Sequence, residues 1–134
     1  MKKFGFLTVL ILCLANFNVL QAQETDAVFQ KVATAIQAKD AAALSAMLNS
    51  SVELTVPGIN DGAYAVKQAQ FVISDFFTKY PVTSFKIIKK GSTGNTFYAV
   101  GIYTSAKGSF DTNIFVRNMG GTFLVTQIRF EAED

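Results

Sequence analysis

Four consecutive segments rich in aromatic and β-branched residues constrain the fold of this chain more than any other feature. Short turn sequences separate them, at Gly91–Asn95, Ala106–Gly108 and Met119–Gly121. Connections this short join antiparallel neighbours, because a parallel crossover needs about a dozen residues or more. The sequence therefore predicts an up-and-down antiparallel sheet of four strands, Ser84–Lys89, Thr96–Ser105, Ser109–Asn118 and Thr122–Glu131.

The segment that follows the N-terminus of the chain predicts two helices and a strand. A polar cluster at Glu24–Asp26 is suited to cap a first helix that ends near Lys39. Asp40 is suited to cap a short second helix, which we expect to end at Asn49–Ser51. The alternation of Val52–Val56 is typical of a strand, and Pro57-Gly58 stops it. The helical spacing of four apolar residues supports the first helix: Val28, Phe29, Val32 and Ile36.

A longer helix is predicted from Ala63 to Lys79, where Pro81 ends it. Its apolar stripe consists of Val66, Ala69, Ile73, Phe76, Phe77 and Tyr80. Phe71 lies off this stripe, and we expect it to pack under the Gly58–Gly62 loop. Helices that cover one face of an antiparallel sheet make an α+β domain, so the predicted fold class is α+β.

The first 22 residues have the pattern of a bacterial signal peptide, with a cationic start, an apolar run and a predicted cleavage site after Ala22. Two alternatives stay open. The segment could remain as a membrane anchor, or Leu10–Cys13 could be a lipid-attachment box. The preferred interpretation predicts one mature domain over residues 24–134, exported to the periplasm or the exterior, with membrane contact only through the transient leader.

The charge balance argues against nucleic-acid binding. The chain has 12 basic and 10 acidic residues, and Lys2 and Lys3 lie in the leader, so the mature net charge is zero. A protein that binds nucleic acid needs an excess of basic groups to neutralise phosphates. We interpret the one basic cluster, Lys86, Lys89 and Lys90, as a solvated strand end that discourages edge pairing.

The residue inventory excludes several kinds of chemistry. The chain contains no His, and its single Cys, Cys13, lies in the leader. Serine and cysteine nucleophiles activated by His are therefore excluded, as are zinc sites of the usual nitrogen and sulfur type. We predict no metal and no cofactor. An isomerase-like enzyme with a buried carboxylate stays as an alternative, but its three candidates, Asp61, Asp75 and Asp111, are all expected to be solvated.

The chain resembles the small exported bacterial proteins grouped as domain of unknown function 4783. The similar motifs are Val52–Val56, Tyr64–Ala69, Asp75–Phe77, Phe97–Gly101 and Thr104–Phe110, with Gly91-Ser92 between them. The resemblance implies a nuclear transport factor 2-like (cystatin-like) cone, in which N-terminal helices pack on a curved antiparallel sheet. It also implies export, and it supplies no activity and no catalytic residue.

A cone fold places a cavity between the long helix and the sheet, so the first functional hypothesis is a small-molecule ligand. Our candidate pocket residues are Tyr64, Tyr103 and Asn113. Gly101 in mid-strand indicates either sheet curvature or room for a close approach. Alternation leaves open which face of this strand lines the core.

The second hypothesis is a homodimer or a protein-interaction module that uses the outer face of the sheet. If the more uniformly apolar residues of the last two strands pack under the helices, the others form a mixed aromatic, aliphatic, amide and arginine surface, a composition common at partner surfaces. The predicted interface residues are Phe115, Arg117, Phe123, Val125, Gln127 and Arg129.

Overall fold

The structure, a computed structural model, describes residues 22–133. Three helices occur in this part of the chain: α1 at 22–37, α2 at Ala41–Ser45 and α3 at Val66–Lys79. The strands are β1 Leu48–Thr55, β2 Gly62–Ala65, β3 Val82–Thr93, β4 Thr96–Ser105, β5 Gly108–Met119 and β6 Thr122–Ala132. Helices gathered beside one curved sheet confirm the predicted α+β class.

All six strands belong to one sheet, in the order β2-β1-β6-β5-β4-β3. Strands β3 to β6 pair with their sequence neighbours in antiparallel fashion, as the turn spacing predicts. Strand β1 pairs with β2 in antiparallel fashion and with β6 in parallel. The short connections therefore specify four strands, and the other two join through contacts between the ends of the domain.

Strand β4 has the predicted bounds, and tight hairpins explain why β3, β5 and β6 are longer than predicted. The turn between β5 and β6 consists of Gly120 and Gly121, whose φ angles of 67° and 100° suit glycine. The turn between β3 and β4 likewise contains two residues, Gly94 and Asn95. Strand β3 therefore continues through Gly91–Thr93, which we predicted to be part of the turn.

The N-terminal half corrects three predicted boundaries. Asp40 caps α2 as expected, because its carboxylate accepts a 3.0 Å bond from the amide of Ala43, but α2 ends at Ser45. Residues 49–51, expected to end that helix, already lie in β1. Helix α3 begins at Val66 instead of Ala63, because residues 62–65 pair with β1 as β2.

Two side-chain predictions in the helices are wrong. Thr25 is not a cap: it is buried inside α1 and its hydroxyl donates back to the carbonyl of Ala22 at 3.0 Å. Phe71 is 78 % exposed on α3 and does not pack under the preceding loop. Helix α3 already fills its buried face with the predicted stripe, so a residue on the opposite face has no apolar surface to reach.

The helices cover one face of the sheet, which we call the inner face. On β4 the inner residues are Phe97, Ala99, Gly101 and Tyr103, which settles the face that alternation left open. Phe76 of α3 lies at the centre of this packing, 4.5 Å from the ring of Phe130 and 5.1 Å from that of Tyr103 between centroids. Phe110 completes the group at 5.2 Å from Phe76. Side chains of the domain itself therefore fill the space beneath the helices.

A register shift in β6 moves two predicted interface residues to the inner face. The pairing runs Phe115 with Gln127 and then Val116 with Val125, so Thr126 is the extra residue of a β-bulge. A one-residue shift exchanges the two faces of a strand. The prediction that Val125 and Phe123 lie on the outer face is therefore wrong: Val125 is fully buried, and Phe123 packs against the core beside Phe97.

Gly101 provides room for a neighbouring ring. A Cβ atom added at Gly101 would lie 2.8 Å from the ring of Phe85 and 2.9 Å from the carbonyl oxygen of Lys86. The close-approach interpretation of this glycine is thus supported, and the group that approaches it belongs to the protein's own core.

We expect Gly101→Ala to reduce the free energy of unfolding by about 1–3 kcal/mol, because the added methyl group forces Phe85 or the backbone of β3 to move. Gly62→Ala is the matched control, since a Cβ atom there meets nothing within 4 Å. Urea unfolding of both variants measures the difference. Equal stability of the two variants would contradict the packing described for Gly101.

Tyr103 gives a second prediction. It is fully buried, its hydroxyl donates to the carbonyl oxygen of Tyr80, and burial raises its pKa from 10.0 to about 12. The folded state therefore keeps this proton at pH values where the unfolded chain loses it. The resulting stability is complete below the unfolded pKa of about 10 and is lost as pH rises toward the folded value.

When the pH rises from about 8 to about 11, the free energy of unfolding of the native protein should fall by about 1 kcal/mol more than that of Tyr103→Phe. The reason is that the phenyl ring of the variant cannot ionise. Urea midpoints of both proteins at the two pH values measure this, and other tyrosines and lysines cancel in the comparison. At pH 8 the variant itself should be about 0.5–1.5 kcal/mol less stable because it lacks the hydrogen bond to Tyr80. Parallel pH profiles would show that Tyr103 is not protected in the folded state.

Candidate partner surface on the outer sheet face

The three predicted pocket residues occupy three separate places. Tyr64 lies on the edge strand β2, half-buried on the inner side, and its hydroxyl donates to the carbonyl of Asn60 at 2.6 Å. Tyr103 is at the centre of the core. Asn113 lies on the outer face of β5, opposite Val100 and Arg129. The structure thus does not bring them together into one pocket, and any ligand contact of each remains a prediction.

The three carboxylates considered for catalysis are all exposed. Asp75 forms a 3.0 Å ion pair with Lys79 one turn later on α3. Asp61 follows the loop after β1, and Asp111 lies on the outer face of β5. None of them is aimed into the interior, where burial would tune a catalytic base.

The outer face of the sheet carries a continuous set of half-buried apolar side chains. We call it the outer apolar strip: Tyr98, Val100, Ile102, Phe115 and Leu124. None of these residues belongs to the core beneath the helices. Tyr98 faces Phe115 across the β4–β5 pair. Within residues 22–133, the helices pack on the opposite side of the sheet, so no helix covers the strip.

Arg129 lies at the centre of this face with one donor unpaired. Its Nη2 contacts Glu131 Oε1 at 2.5 Å, while its Nε is buried and has no hydrogen-bond partner in the described part of the chain. The side chain as a whole is 44% exposed, so the part of the guanidinium that faces solvent can donate to an acceptor brought by a partner. Two surface depressions of about 460 and 310 Å³ meet beside it and share Glu53 and Gln127.

The two ends of the outer face have opposite charge. Arg117 is exposed at one end, opposite Leu124. At the other end Asp111 faces Glu131 across the β5–β6 pair, and Glu133 lies nearby. A hydrogen bond with Asp111, then desolvation and the Asp111 charge, raise the pKa of Glu133. We call these three carboxylates the acidic corner.

Sequence reasoning found only part of this surface. Phe115, Arg117, Gln127 and Arg129 lie on the outer face as predicted. The apolar residues of β4 were missed because alternation did not distinguish its two faces. Leu124 was missed because the bulge at Thr126, which reverses the alternation beyond it, leaves no recognisable mark in the sequence.

Residues 22–133 lack two further features. In that range no helix combines the length and the apolar character needed to cross a membrane. The same residues contain no group of three or more His, Cys, Asp or Glu side chains placed to hold a metal ion.

Comparison with known proteins identifies a family and a fold. The family described as "Domain of unknown function (DUF4783)" matches residues 29–131. Curated proteins give no match. A DUF4783 family protein from Bacteroides ovatus superposes with a TM-score of 0.72 at 24% identity, over 78% of this chain and 94% of that one. An NTF2-like protein of unknown function from Shewanella baltica superposes with a TM-score of 0.64 at 13% identity, over 87% of this chain and 96% of that one. A protein with a cystatin-like fold from Nostoc punctiforme superposes with a TM-score of 0.67 at 13% identity, over 85% of this chain and 92% of that one.

Proposed function

We propose that this chain, which belongs to the domain of unknown function (DUF4783) family, is an exported interaction module that associates with a second copy of itself through the outer face of its sheet. The fold is nuclear transport factor 2-like, an α+β cone, and it provides a rigid platform for such a face. The observation that supports the proposal most directly is the outer apolar strip, with the partly exposed side chain of Arg129 on the same face.

The apolar strip has the composition of an interface centre. Its two aromatic residues, Tyr98 and Phe115, lie opposite each other and are half-buried before any partner arrives. Aromatic residues and Arg are enriched where protein surfaces meet, and they contribute most of the binding energy. Arg117 and the acidic corner lie toward the ends of this face, as expected for the rim of an interface, and Arg129 lies between them.

Charge complementarity favours a second copy as the partner. Arg117 lies at one end of β5 and the acidic corner at the other, with Asn113 midway. A two-fold axis that lies in the interface plane, perpendicular to the strands and near Asn113, would place Arg117 of each copy over the acidic corner of the other. Such a surface is self-complementary, which is the requirement for a symmetric dimer.

The interior supports the small-molecule hypothesis less well. Phe76, Tyr103, Phe110 and Phe130 occupy the space where a ligand of the cone would lie. A ligand there would have to displace side chains that stabilise the fold. We therefore propose the outer face, and not the interior, as the binding surface.

The dimer proposal predicts the effect of one charge on the strip. Phe115→Lys should convert the mature chain from a dimer to a monomer at about 50 µM, since desolvating the ammonium group opposes association. Size-exclusion chromatography with light scattering measures the mass. Phe71→Lys is the matched control: the same change at an exposed phenylalanine on α3 should leave the dimer intact.

A native chain that remains a monomer at high micromolar concentration would refute the dimer. The same conclusion would follow if both lysine variants had the mass of the native protein. Circular dichroism of each variant verifies that loss of association does not reflect unfolding.

Export has a separate test. The cationic start and apolar run of residues 1–21, which lie outside the described residues, support removal of a leader, and Ala22 is the predicted cleavage position. We expect the chain expressed with its leader in a bacterial host to accumulate outside the cytoplasm and to begin at Gln23. Intact mass spectrometry of each fraction measures this. An uncleaved chain confined to the cytoplasm would contradict export.

A further inference from the structure

Strand β3 forms one edge of the sheet and has no strand on its far side within residues 22–133. The strand is 12 residues long, from Val82 to Thr93, whereas the opposite edge strand, β2, has only 4. An unpaired strand of this length offers a row of backbone donors and acceptors to another chain. This edge is therefore a candidate site for strand addition.

The backbone orientation along β3 shows which groups are available. A Cβ atom added at Gly101 of β4 would lie 2.9 Å from the carbonyl oxygen of Lys86, so that carbonyl points toward β4. The carbonyl of Phe85 accepts a 2.9 Å hydrogen bond from Gln37 Nε2 of α1. Successive residues of a strand alternate in direction. The N–H and carbonyl of Ile87 therefore point, like those of Phe85, toward the open edge.

A slot of about 700 Å³ lies between α1 and this edge. The Gln37–Phe85 hydrogen bond bridges it near one end, and a 3.2 Å ion pair between Lys90 and Asp26 bridges it near the other. The carboxamide of Gln37 occupies the position in which the amide of an added strand would donate. The remaining side chains that line the slot are Gln30, Ala33, Thr34, Lys86 and Ile87.

We propose that the edge of β3 binds an extended, acidic segment of a partner protein, which adds to the sheet as a seventh strand beside Ile87. Lys86, Lys89 and Lys90 are all exposed along the edge, whereas among residues 22–133 Asp26 is the only acidic residue that lines the slot. Carboxylates on alternate residues of an added strand share one face and would meet Lys86 and Lys89, which both lie on the outer side of the sheet. Main-chain hydrogen bonds supply affinity in this mode of recognition, and side chains supply selectivity.

The same lysines exclude a second copy of this strand as the occupant. Two β3 edges placed side by side would bring lysines from both copies together, and like charges across neighbouring strands are destabilising. The register break between Ile87 and Lys89 also limits a straight added strand to the region around Phe85–Ile87. The edge thus favours a short acidic segment and discourages self-association, so this site is independent of the dimer proposed for the outer face.

Titration of the isotopically labelled mature chain with two seven-residue peptides tests the proposal. One peptide alternates Val with Glu, and the other alternates Val with Lys. We expect saturable amide shifts at Phe85, Ile87 and Lys90 with the Val/Glu peptide, slower hydrogen exchange at the Ile87 amide, and no saturable binding of the Val/Lys peptide. Shifts confined to Phe115 and its neighbours would place the peptide on the outer face and overturn the edge site.

Two variants separate strand addition from simple charge attraction. The double variant Lys89→Glu/Lys90→Glu should bind the Val/Glu peptide with an affinity at least fivefold lower than that of the native chain. The control double variant Lys67→Glu/Lys107→Glu, which changes two exposed lysines elsewhere, should bind it with unchanged affinity. Ile87→Pro removes the outward N–H and should abolish binding. Unchanged affinity in the Lys89/Lys90 variant, or in Ile87→Pro once circular dichroism shows it folded, would overturn the proposal, as would failure of both peptides to bind the native chain.

Discussion

The packing of aromatic side chains between α3 and the inner face of the sheet is the contact on which the rest of the structure depends. Phe76 contacts rings from β4, β5 and β6, so one helical residue joins three strands. Burial of a large apolar side chain contributes about 1.5–3 kcal/mol, and a group of this size contributes a substantial share of the stability of a small domain. Because the rings are packed beneath the helices, recognition has to use surfaces outside this core, such as the outer face and the edge.

A single inserted residue determines the composition of that outer face. The bulge at Thr126 turns Val125 into the core and Leu124 outward, which extends the apolar strip toward Arg117. Without the bulge, strict alternation would have placed two apolar residues, Phe123 and Val125, on the surface and exposed a larger apolar patch. The irregularity therefore adjusts the pattern of apolar and charged side chains at the place where we propose that a partner binds.

Local signals in the sequence predict the four-stranded meander, the Asp40 cap and the apolar stripe of α3, because turns, caps and helical periodicity act over a few residues. The parallel contact of β1 with β6 is not predictable in this way, since it joins segments about 75 residues apart. The outer face was predicted in part: alternation along β5 placed Phe115 and Arg117 correctly, and it failed along β6 beyond the bulge. Along the edge of β3, the sequence indicates only the cluster of lysines. The contact of Gln37 with Phe85 is not predictable from the sequence, because it depends on how α1 packs.

The parallel β1–β6 contact has a consequence for biosynthesis. Strand β1 is the first of the six strands in chain order and its partner β6 is the last, so translation delivers the partner after the other five strands. Until then the nascent polypeptide can close hairpins but cannot join its first strand to the meander. The native sheet is therefore completed only once the ribosome has synthesised β6.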